Sequence, residues 1–336
     1  MRMACRRPAV CWFCLAAALF LASGCAPPAV EQGVIARSSD YLVVVADKDD
    51  SLGSLAATYL GDRKKAWQIG EFNGIARVKA GDEIVIPLRQ TNRAGLYRNG
   101  FIKVPILVYH HFSPRGRKCS KVTVTAEAFE AQLAYLKRHG YSVITFRDLA
   151  AFLEGRAPVP RKSVILTIDD GFRSTYEIAY PLLKRYGFPA TVFLYSDFAG
   201  APAALTWAQM KEMIASGLID IQPHSKTHAD LTKFKEGESE AAYRKRVAHE
   251  VTYSAQIIRK RLKLPVHTFS YPYGAENDAV IEIMKEAGFK FAVTVTRGGN
   301  PAFSHPLVLR RSQIYCRDGL EDFVKRLDTY EQISAR

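Results

Sequence analysis

The stretch Ser163-Val-Ile-Leu-Thr-Ile-Asp-Asp-Gly171 has six apolar or hydroxyl-bearing residues, followed by two carboxylates and a glycine. A short run of this composition that closes at a glycine indicates a buried β-strand. In parallel sheets and barrels, functional side chains gather at the carboxyl ends of the strands, where these two carboxylates lie. Because successive side chains of a strand diverge, Asp169 and Asp170 cannot both easily ligate one ion.

Predicted strands and helices alternate around this stretch for more than two hundred residues. In chain order they are strand Val104–Tyr109, helix Ala126–His139, strand Tyr141–Thr145, helix Phe146–Leu153, strand Ser163–Ile168, helix Ser174–Tyr186, strand Ala190–Leu194, helix Trp207–Ala215, strand Leu218–Ile221, helix Glu240–Leu262, strand Thr268–Tyr271, helix Asp278–Glu286, strand Phe291–Thr296 and strand Leu307–Arg310. This alternation predicts an α/β fold with parallel strands, and its length and strand count suit a barrel.

A second motif, His224-Ser-Lys-Thr-His228, follows another predicted strand and supplies two imidazoles four residues apart. One carboxylate and two imidazoles form a three-ligand set for a divalent ion, with an open position for water. The neighbouring carboxylate is then free to act as a general base. Zinc is the predicted ion, with cobalt, nickel and iron as alternatives, because the same ligand set also binds non-haem iron.

The chain resembles the polysaccharide deacetylases of the NodB-homology type, carbohydrate esterase family 4, over roughly Val104 to Asp328. Thr167-Ile-Asp-Asp-Gly171 matches the family's Thr-Phe-Asp-Asp-Gly, and His224 to His228 matches its His-Ser/Thr-x-x-His. Ser270-Tyr-Pro-Tyr-Gly274 matches its Arg-x-Pro-Tyr-Gly, with serine in the arginine place. The resemblance implies a distorted (β/α) barrel and metal-dependent hydrolysis of N-acetyl groups from N-acetylglucosamine-containing polysaccharide.

The resemblance also implies a role for each residue of these motifs. It assigns the metal to Asp170, His224 and His228, and the general base to Asp169. The backbone N–H of Tyr273 is expected to help hold the oxyanion that forms when water attacks an amide carbonyl.

Two groups that the family uses are absent from their usual places. Ser270 cannot orient the base as the family's arginine does, so Arg310 or Arg311 is expected to replace it from the neighbouring late strand. The family's late Leu-x-His motif, which supplies the acid, is also absent. His110 is the predicted replacement because some exopolysaccharide deacetylases of this family carry a Tyr-His near the domain start. Since adjacent strand residues point to opposite sides, only one of His110 and His111 should face the site.

Residues 1–24 have the pattern of a signal peptide, with a basic start and an apolar run at Ala9–Ala22 that is too short to span a bilayer comfortably. Leu21-Ala-Ser-Gly-Cys25 resembles a bacterial lipobox, so Cys25 is the predicted lipidation site; an ordinary secretory signal is the alternative. Export and a lipid anchor in the cell envelope follow. Ala26 favours, by resemblance, an outer membrane with the protein facing the periplasm.

The net charge and the cysteine count limit the classes of partner and the disulfide chemistry that the protein can have. Removing the signal segment lowers the formal charge from +14 to +11, which suits an anionic envelope. No recognisable nucleic-acid module is present, and nucleic acid is therefore not a predicted partner. After processing and lipidation, Cys119 and Cys316 remain free to pair, and the sequence leaves open whether they are close enough.

The segment before the barrel predicts further organisation. Residues 25–40 are predicted to be a tether and 89–103 a linker, with the deacetylase domain at 104–330. Residues 41–88 have a strand-helix-helix-strand pattern that resembles a LysM module, on the basis of Tyr59-Leu-Gly-Asp62, Trp67, Asn73 and Ile84-Val-Ile-Pro87. Such modules bind N-acetylglucosamine-containing polymers, and a spacer without ligand affinity is the alternative.

Two questions about function stay open at this point. A non-catalytic envelope protein that binds glycan is the alternative to an enzyme, although pure binding needs no base beside a metal. The LysM-like module favours peptidoglycan as the polymer, while the departures in the third motif fit an exopolysaccharide such as poly-N-acetylglucosamine.

Overall fold

The computed structural model describes residues 33–89, 92–117 and 120–333. The predicted signal peptide, Cys25, the first half of the tether (25–32) and Cys119 lie outside these ranges. Cys316 is disulfide-bonded. The chain divides into two compact units between Leu88 and Arg89. Among the described residues, no helix combines the length and apolar character needed to cross a membrane.

The small unit contains a three-stranded antiparallel sheet and two helices. Its elements are β1 (Val34–Arg37), β2 (Tyr41–Val45), α1 (Leu52–Leu60), α2 (Ala66–Asn73) and β3 (Glu83–Pro87), with sheet order β1-β2-β3. The predicted strand-helix-helix-strand order is therefore confirmed. The Asn73 side chain ties α2 to β3, since it donates to the Val85 carbonyl at 2.7 Å and accepts the Val85 N–H at 2.9 Å.

The predicted tether at 25–40 is wrong at its C-terminal end. Strand β1 lies within it and pairs antiparallel with β2, with Ala36 opposite Val43. This pairing covers the edge of β2 that β3 leaves free, and an unpaired strand edge would expose backbone donors and acceptors.

The large unit is built around parallel strands with helices between them. Its strands are β4 (Leu96–Tyr97), β5 (Gly100–Ile102), β6 (Val104–Tyr109), β7 (His111–Ser113), β8 (Thr123–Thr125), β9 (Ser142–Val143), β10 (Ser163–Ile168), β11 (Ala190–Leu194), β12 (Ile219–Pro223), β13 (Thr268–Ser270), β14 (Phe291–Val293), β15 (Gly299–Asn300), β16 (Ser312–Gln313) and β17 (Tyr330–Gln332). Its helices are α3 (Ala126–Arg138), α4 (Phe146–Leu153), α5 (Tyr180–Tyr186), α6 (Trp207–Ala215), α7 (Glu240–Leu262), α8 (Asp278–Glu286) and α9 (Leu320–Val324).

The strands close into the distorted barrel that the sequence predicts. β12, β11, β10, β6 and β16 pair in parallel in that order. β13 pairs with β14, and Val293 of β14 bridges to Leu309, shortly before β16. The remaining seam, between β12 and β13, is joined by the Gln222 side chain, whose carbonyl oxygen accepts the backbone N–H groups of His267 and Thr268, each at 3.1 Å.

Two boundaries in this unit differ from the predictions. The predicted linker at 89–103 contains β4 and β5, and β5 pairs with β17, so the unit extends beyond 104–330 on both sides. The strand predicted at Leu307–Arg310 is reduced to the Leu309 bridge, and the assigned strand is β16. The pairings of β5 with β17 and of β16 with β6 join residues that are distant in sequence, which local composition does not reveal.

Candidate active site

Three predicted ligands converge at the carboxyl ends of β10 and β12. The Nε2 atoms of His224 and His228 lie 3.7 Å and 3.4 Å from Asp170 Oδ1. One ligand atom from each of the three residues lies within 4.8 Å of the others, which makes them a candidate metal site. A carboxylate oxygen and two imidazole nitrogens are a donor set that suits a divalent transition metal.

His224 is held in the orientation and protonation state that a ligand needs. It is 2% exposed, and its Nδ1 lies 2.7 Å from the Ser270 carbonyl oxygen. An Nδ1–H that donates to this carbonyl leaves Nε2 as the free nitrogen on the side of Asp170. Burial lowers the pKa of His224 to about 4, so the ring is neutral at physiological pH.

The backbone around the candidate site is strained. Asp170, Ser225, His228 and Tyr273 have φ values of 73°, 67°, 64° and 61°, in the left-handed region that non-glycine residues rarely adopt. The backbone N–H of His228 donates to Ser225 Oγ at 2.9 Å, which stabilises this conformation locally. Clusters of such residues are typical of functional sites, where the surrounding structure holds a costly conformation.

Protein groups alone stabilise the negative charge of the Asp170 carboxylate poorly. Burial and the adjacent Asp169 carboxylate raise the pKa of Asp170 to about 7. Its Oδ1 atom is buried and has no hydrogen-bond partner among the described residues. A buried acceptor without a partner is costly, and a cation beside it would remove that cost, so the residues present fit a divalent metal ion.

Asp169 has the opposite environment. It is 1% exposed and forms a bidentate pair with Arg311, with both N–O distances at 2.7 Å. Ser270 Oγ donates to Asp169 Oδ2 at 3.1 Å. Burial opposes ionisation, but the Arg311 guanidinium outweighs it and holds the pKa of Asp169 well below its usual range. Asp169 is therefore ionised at neutral pH and fixed in one orientation.

Arg311, rather than Arg310, contacts the carboxylate at the site. Arg311 is fully buried and also donates to the Thr294 carbonyl at 2.7 Å. Arg310 is exposed and lines a surface groove with His305 and Phe303, so its predicted place beside the base is wrong. The two side chains separate because adjacent residues of an extended chain point to opposite sides.

His110 and His111 also face different surroundings. The charges of Asp169, Arg311 and His228 act on His110, and burial lowers its pKa. The Nδ1 atom of His110 is buried without a hydrogen-bond partner in the described part of the chain. The His111 ring instead packs edge-on against Phe172, with ring centroids 5.1 Å apart.

Tyr273 lies in the turn that follows β13. Its side chain is 64% exposed, and its ring centroid is 4.7 Å from that of His228. The next residue, Gly274, has φ 69°, and a Cβ atom there would lie 2.5 Å from the Val295 backbone nitrogen. Glycine is therefore required to bring this turn against the following strand segment.

Comparison with known proteins agrees with this arrangement. A family model described as polysaccharide deacetylase matches residues 156–292. The chain is 31% identical over 198 residues to YxkH of Bacillus subtilis, covering 58% of this chain and 66% of that protein. It is 26% identical over 227 residues to the poly-β-1,6-N-acetyl-D-glucosamine N-deacetylase of Staphylococcus aureus (strain MRSA252), covering 66% and 78%. Among solved structures, Streptococcus pyogenes deacetylase PplD in complex with acetate matches with a TM-score of 0.60 and 27% identity, over 68% of this chain and 99% of that one.

The chain belongs to the polysaccharide deacetylase family. The prediction of a polysaccharide deacetylase with an α/β barrel is thereby confirmed.

Glu250 is a residue of this deacetylase that the sequence did not single out. It lies on α7 and is 7% exposed. Its Oε2 accepts the backbone N–H groups of Lys226 at 3.0 Å and Thr227 at 2.9 Å, and its Oε1 accepts the Thr227 hydroxyl at 2.8 Å. Glu250 therefore fixes the loop between His224 and His228. No local signal marks it, because an acidic residue on a long polar helix is expected to face solvent.

Proposed function

We propose that this deacetylase hydrolyses the N-acetyl groups of a poly-β-1,6-N-acetylglucosamine type of exopolysaccharide and depends on a divalent metal ion, zinc in the first instance. The observation that carries the proposal is the Asp169–Arg311 pair beside Asp170, His224 and His228. It provides an ionised carboxylate next to a separate ligand set, within 3.8 Å of His224 Nε2. A protein that only binds glycan has no need for that division.

The metal site would be formed by Asp170, His224 and His228. A divalent ion held there supplies Lewis acidity, which polarises the acetamide carbonyl and makes a water molecule nucleophilic at neutral pH. The contact between His224 and the Ser270 carbonyl keeps the ligand nitrogen aimed at the site.

Asp169 would accept the proton of the attacking water. Its depressed pKa keeps it ionised, and Arg311 with Ser270 fixes the carboxylate. A carboxylate with so low a pKa is a weak base, so the water molecule would need a lowered pKa of its own. Ser270 occupies the family's arginine position and Arg311 supplies the guanidinium from another strand segment.

His110 would donate a proton to the departing amine, and acetate and a glucosamine unit would result. Its position under the influence of both Asp169 and His228 supports this role. The backbone N–H of Tyr273 would hold the oxyanion, in a turn where Tyr273 has a φ of 61° and Gly274 permits a close approach to Val295.

The name of the staphylococcal relative supports the β-1,6-linked polymer over peptidoglycan. The early His110 and the serine at position 270 support the same substrate class.

Export, a lipid at Cys25 and an outer-membrane location belong to the proposal too. So does glycan binding by the LysM-like unit at 41–88: deleting it should weaken pull-down with insoluble polymer and spare activity on short oligomers.

Acetate release by the purified, zinc-loaded protein tests the proposal. The substrates are a β-1,6-linked N-acetylglucosamine oligomer, a β-1,4-linked oligomer of the same length and peptidoglycan glycan strands. We expect the highest kcat/KM on the β-1,6-linked oligomer and none for Asp170→Ala. A preference for peptidoglycan would change the substrate, and no release from any polymer would contradict the proposed function.

A further inference from the structure

A row of aromatic rings runs along one side of the candidate metal site. Successive ring centroids in this row lie 5.1, 5.4, 4.9, 5.3 and 4.7 Å apart. In spatial order the rings belong to His111, Phe172, Phe198, Tyr195, His228 and Tyr273. The row thus passes through one predicted metal ligand, His228, and continues on both sides of it.

Besides His111, three rings of this row have no role in the proposed chemistry. Phe172, Tyr195 and Phe198 are only partly buried. The planes of Tyr195 and Phe198 are within 10° of parallel, and Phe172 stands edge-on to Phe198 at 79°. Together they form a partly exposed apolar wall.

The wall is held rigidly against the ligand loop. The backbone N–H of Ser196 donates to the Ser225 carbonyl at 3.2 Å, and that of Asp197 donates to the Lys226 carbonyl at 3.0 Å. The side chains of Asp197 and Lys226 also form an ion pair at 2.5 Å. The turn that carries Tyr195 and Phe198 is therefore fixed relative to His224 and His228.

We propose that Phe172, Tyr195 and Phe198 form a sugar-binding subsite, which holds the pyranose ring of the N-acetylglucosamine unit whose acetamide is hydrolysed. The proposal rests on the proposed function and names the residues that select the substrate. The C–H face of a pyranose is apolar and weakly positive, and it complements the negative face of an aromatic ring. Small-molecule sites combine such apolar walls with a few convergent polar groups, here the ligand set.

The position of the wall determines which sugar unit it contacts. The Tyr195 ring is the direct neighbour of the His228 ring, so a pyranose against it has its acetamide at the ligand set. The opposite side of His228 carries the exposed Tyr273 ring. The wall therefore acts on substrate binding, and its loss should raise KM more than it lowers kcat.

Substitution of Phe198 tests the subsite. Phe198→Leu keeps apolar bulk and removes the ring, whereas Phe198→Tyr keeps the ring. Phe303→Leu is the matched control, because Phe303 is 65% exposed and contacts Phe101 in the groove that Arg310 lines. All variants are assayed on a soluble β-1,6-linked N-acetylglucosamine pentamer, with zinc content and thermal unfolding measured in parallel.

We expect Phe198→Leu to raise KM about tenfold with kcat within about threefold of wild type, and Phe198→Tyr to restore KM. Phe303→Leu should leave both constants unchanged. If the wild type releases acetate but Phe198→Leu behaves like Phe303→Leu, or if Phe198→Tyr loses as much as Phe198→Leu, the subsite is wrong while the proposed function stands. If the metal-loaded wild type releases no acetate, the proposed function fails and the subsite with it.

Discussion

Both ends of the barrel bring a histidine and an aspartate together, His267 with Asp220 at one end and His228 with Asp170 at the other, yet the two pairs differ in how their polar atoms are satisfied. At the end where the strands begin, His267 Nε2 lies 3.8 Å from Asp220 Oδ2. Both Asp220 oxygens accept from the Gln222 amide, at 3.1 Å and 3.0 Å. His267 Nδ1 lies 2.7 Å from Thr268 Oγ1. Protein groups alone therefore complete this pair.

At the end where the strands finish, the equivalent groups are left incomplete. Asp170 Oδ1 and His110 Nδ1 are buried without partners among the described residues. Asp170 and His228 have left-handed backbone conformations, which neither His267 nor Asp220 shares. Residue type does not separate a structural pair from a functional one; unsatisfied polar atoms and local strain do.

The largest expected effect is the loss of a ligand at the incomplete end. Asp170→Ala should abolish zinc binding and reduce deacetylation to background, because one of three ligands is gone. Asp220→Ala is the matched control at the other end and should retain both zinc and activity. Elemental analysis and acetate release measure the two effects, and a full zinc content in Asp170→Ala would overturn the ligand assignment.

Removing the general base should lower the deacetylation rate less than removing a metal ligand does. Asp169→Asn keeps the shape of the side chain and part of its contact with Arg311, but cannot accept a proton. We expect zinc to stay bound and kcat to fall by about 10²–10⁴-fold. Thermal unfolding is followed in parallel, because the substitution leaves the buried Arg311 without a counter-charge. A rate near that of the wild type would transfer the base to another group.

Substitution of three histidines in turn tests which of them is the general acid. His110→Ala should lower the rate by about 10²–10⁴-fold, whereas His111→Ala and His267→Ala should do much less. Because an acid must be protonated, activity should decline as pH rises through the pKa of His110, which burial places below the ordinary histidine value. This alkaline decline should disappear in His110→Ala. If His111→Ala shows these changes instead, the prediction that His110 rather than His111 faces the site is wrong.

A smaller effect is expected at Glu250, which touches the ligand loop but no ligand side chain. Glu250→Ala should weaken zinc affinity by about 10–100-fold, the range for groups that orient ligands. Glu240→Ala, an exposed acidic residue on the same helix, is the control. Equal zinc affinity in the two variants, measured by competition with a chelator, would assign Glu250 to stability alone.

The smallest effect, when measured over a single pH unit, is a dependence of metal binding on pH. The pKa of Asp170 is about 7 without metal, so its carboxyl group is protonated below that pH and must lose a proton to bind an ion. His224, with a pKa of about 4, is already neutral. Zinc affinity should therefore fall by about tenfold for each pH unit between 7 and 5. A constant affinity over this range would contradict the raised pKa of Asp170.

The amino-acid pattern alone predicts the barrel class and most of the candidate site. Asp169, Asp170, His224 and His228 lie in short motifs that follow strands, and strand and helix periodicity located nearly all of those elements correctly. Such features are local, because a strand's alternation and a motif's spacing are encoded within ten residues or so.

The groups that complete these motifs come from distant parts of the sequence and meet them only after folding. In the folded chain Arg311, rather than Arg310, contacts Asp169, and Glu250 of α7 contacts the ligand loop. Gln222 joins the seam between β12 and β13. Folding also pairs β5 with β17, although the two strands lie near opposite ends of the unit's sequence. Each of these contacts depends on the direction in which a side chain or a strand edge faces after packing, and that direction is set by the whole barrel rather than by the residues near it in sequence.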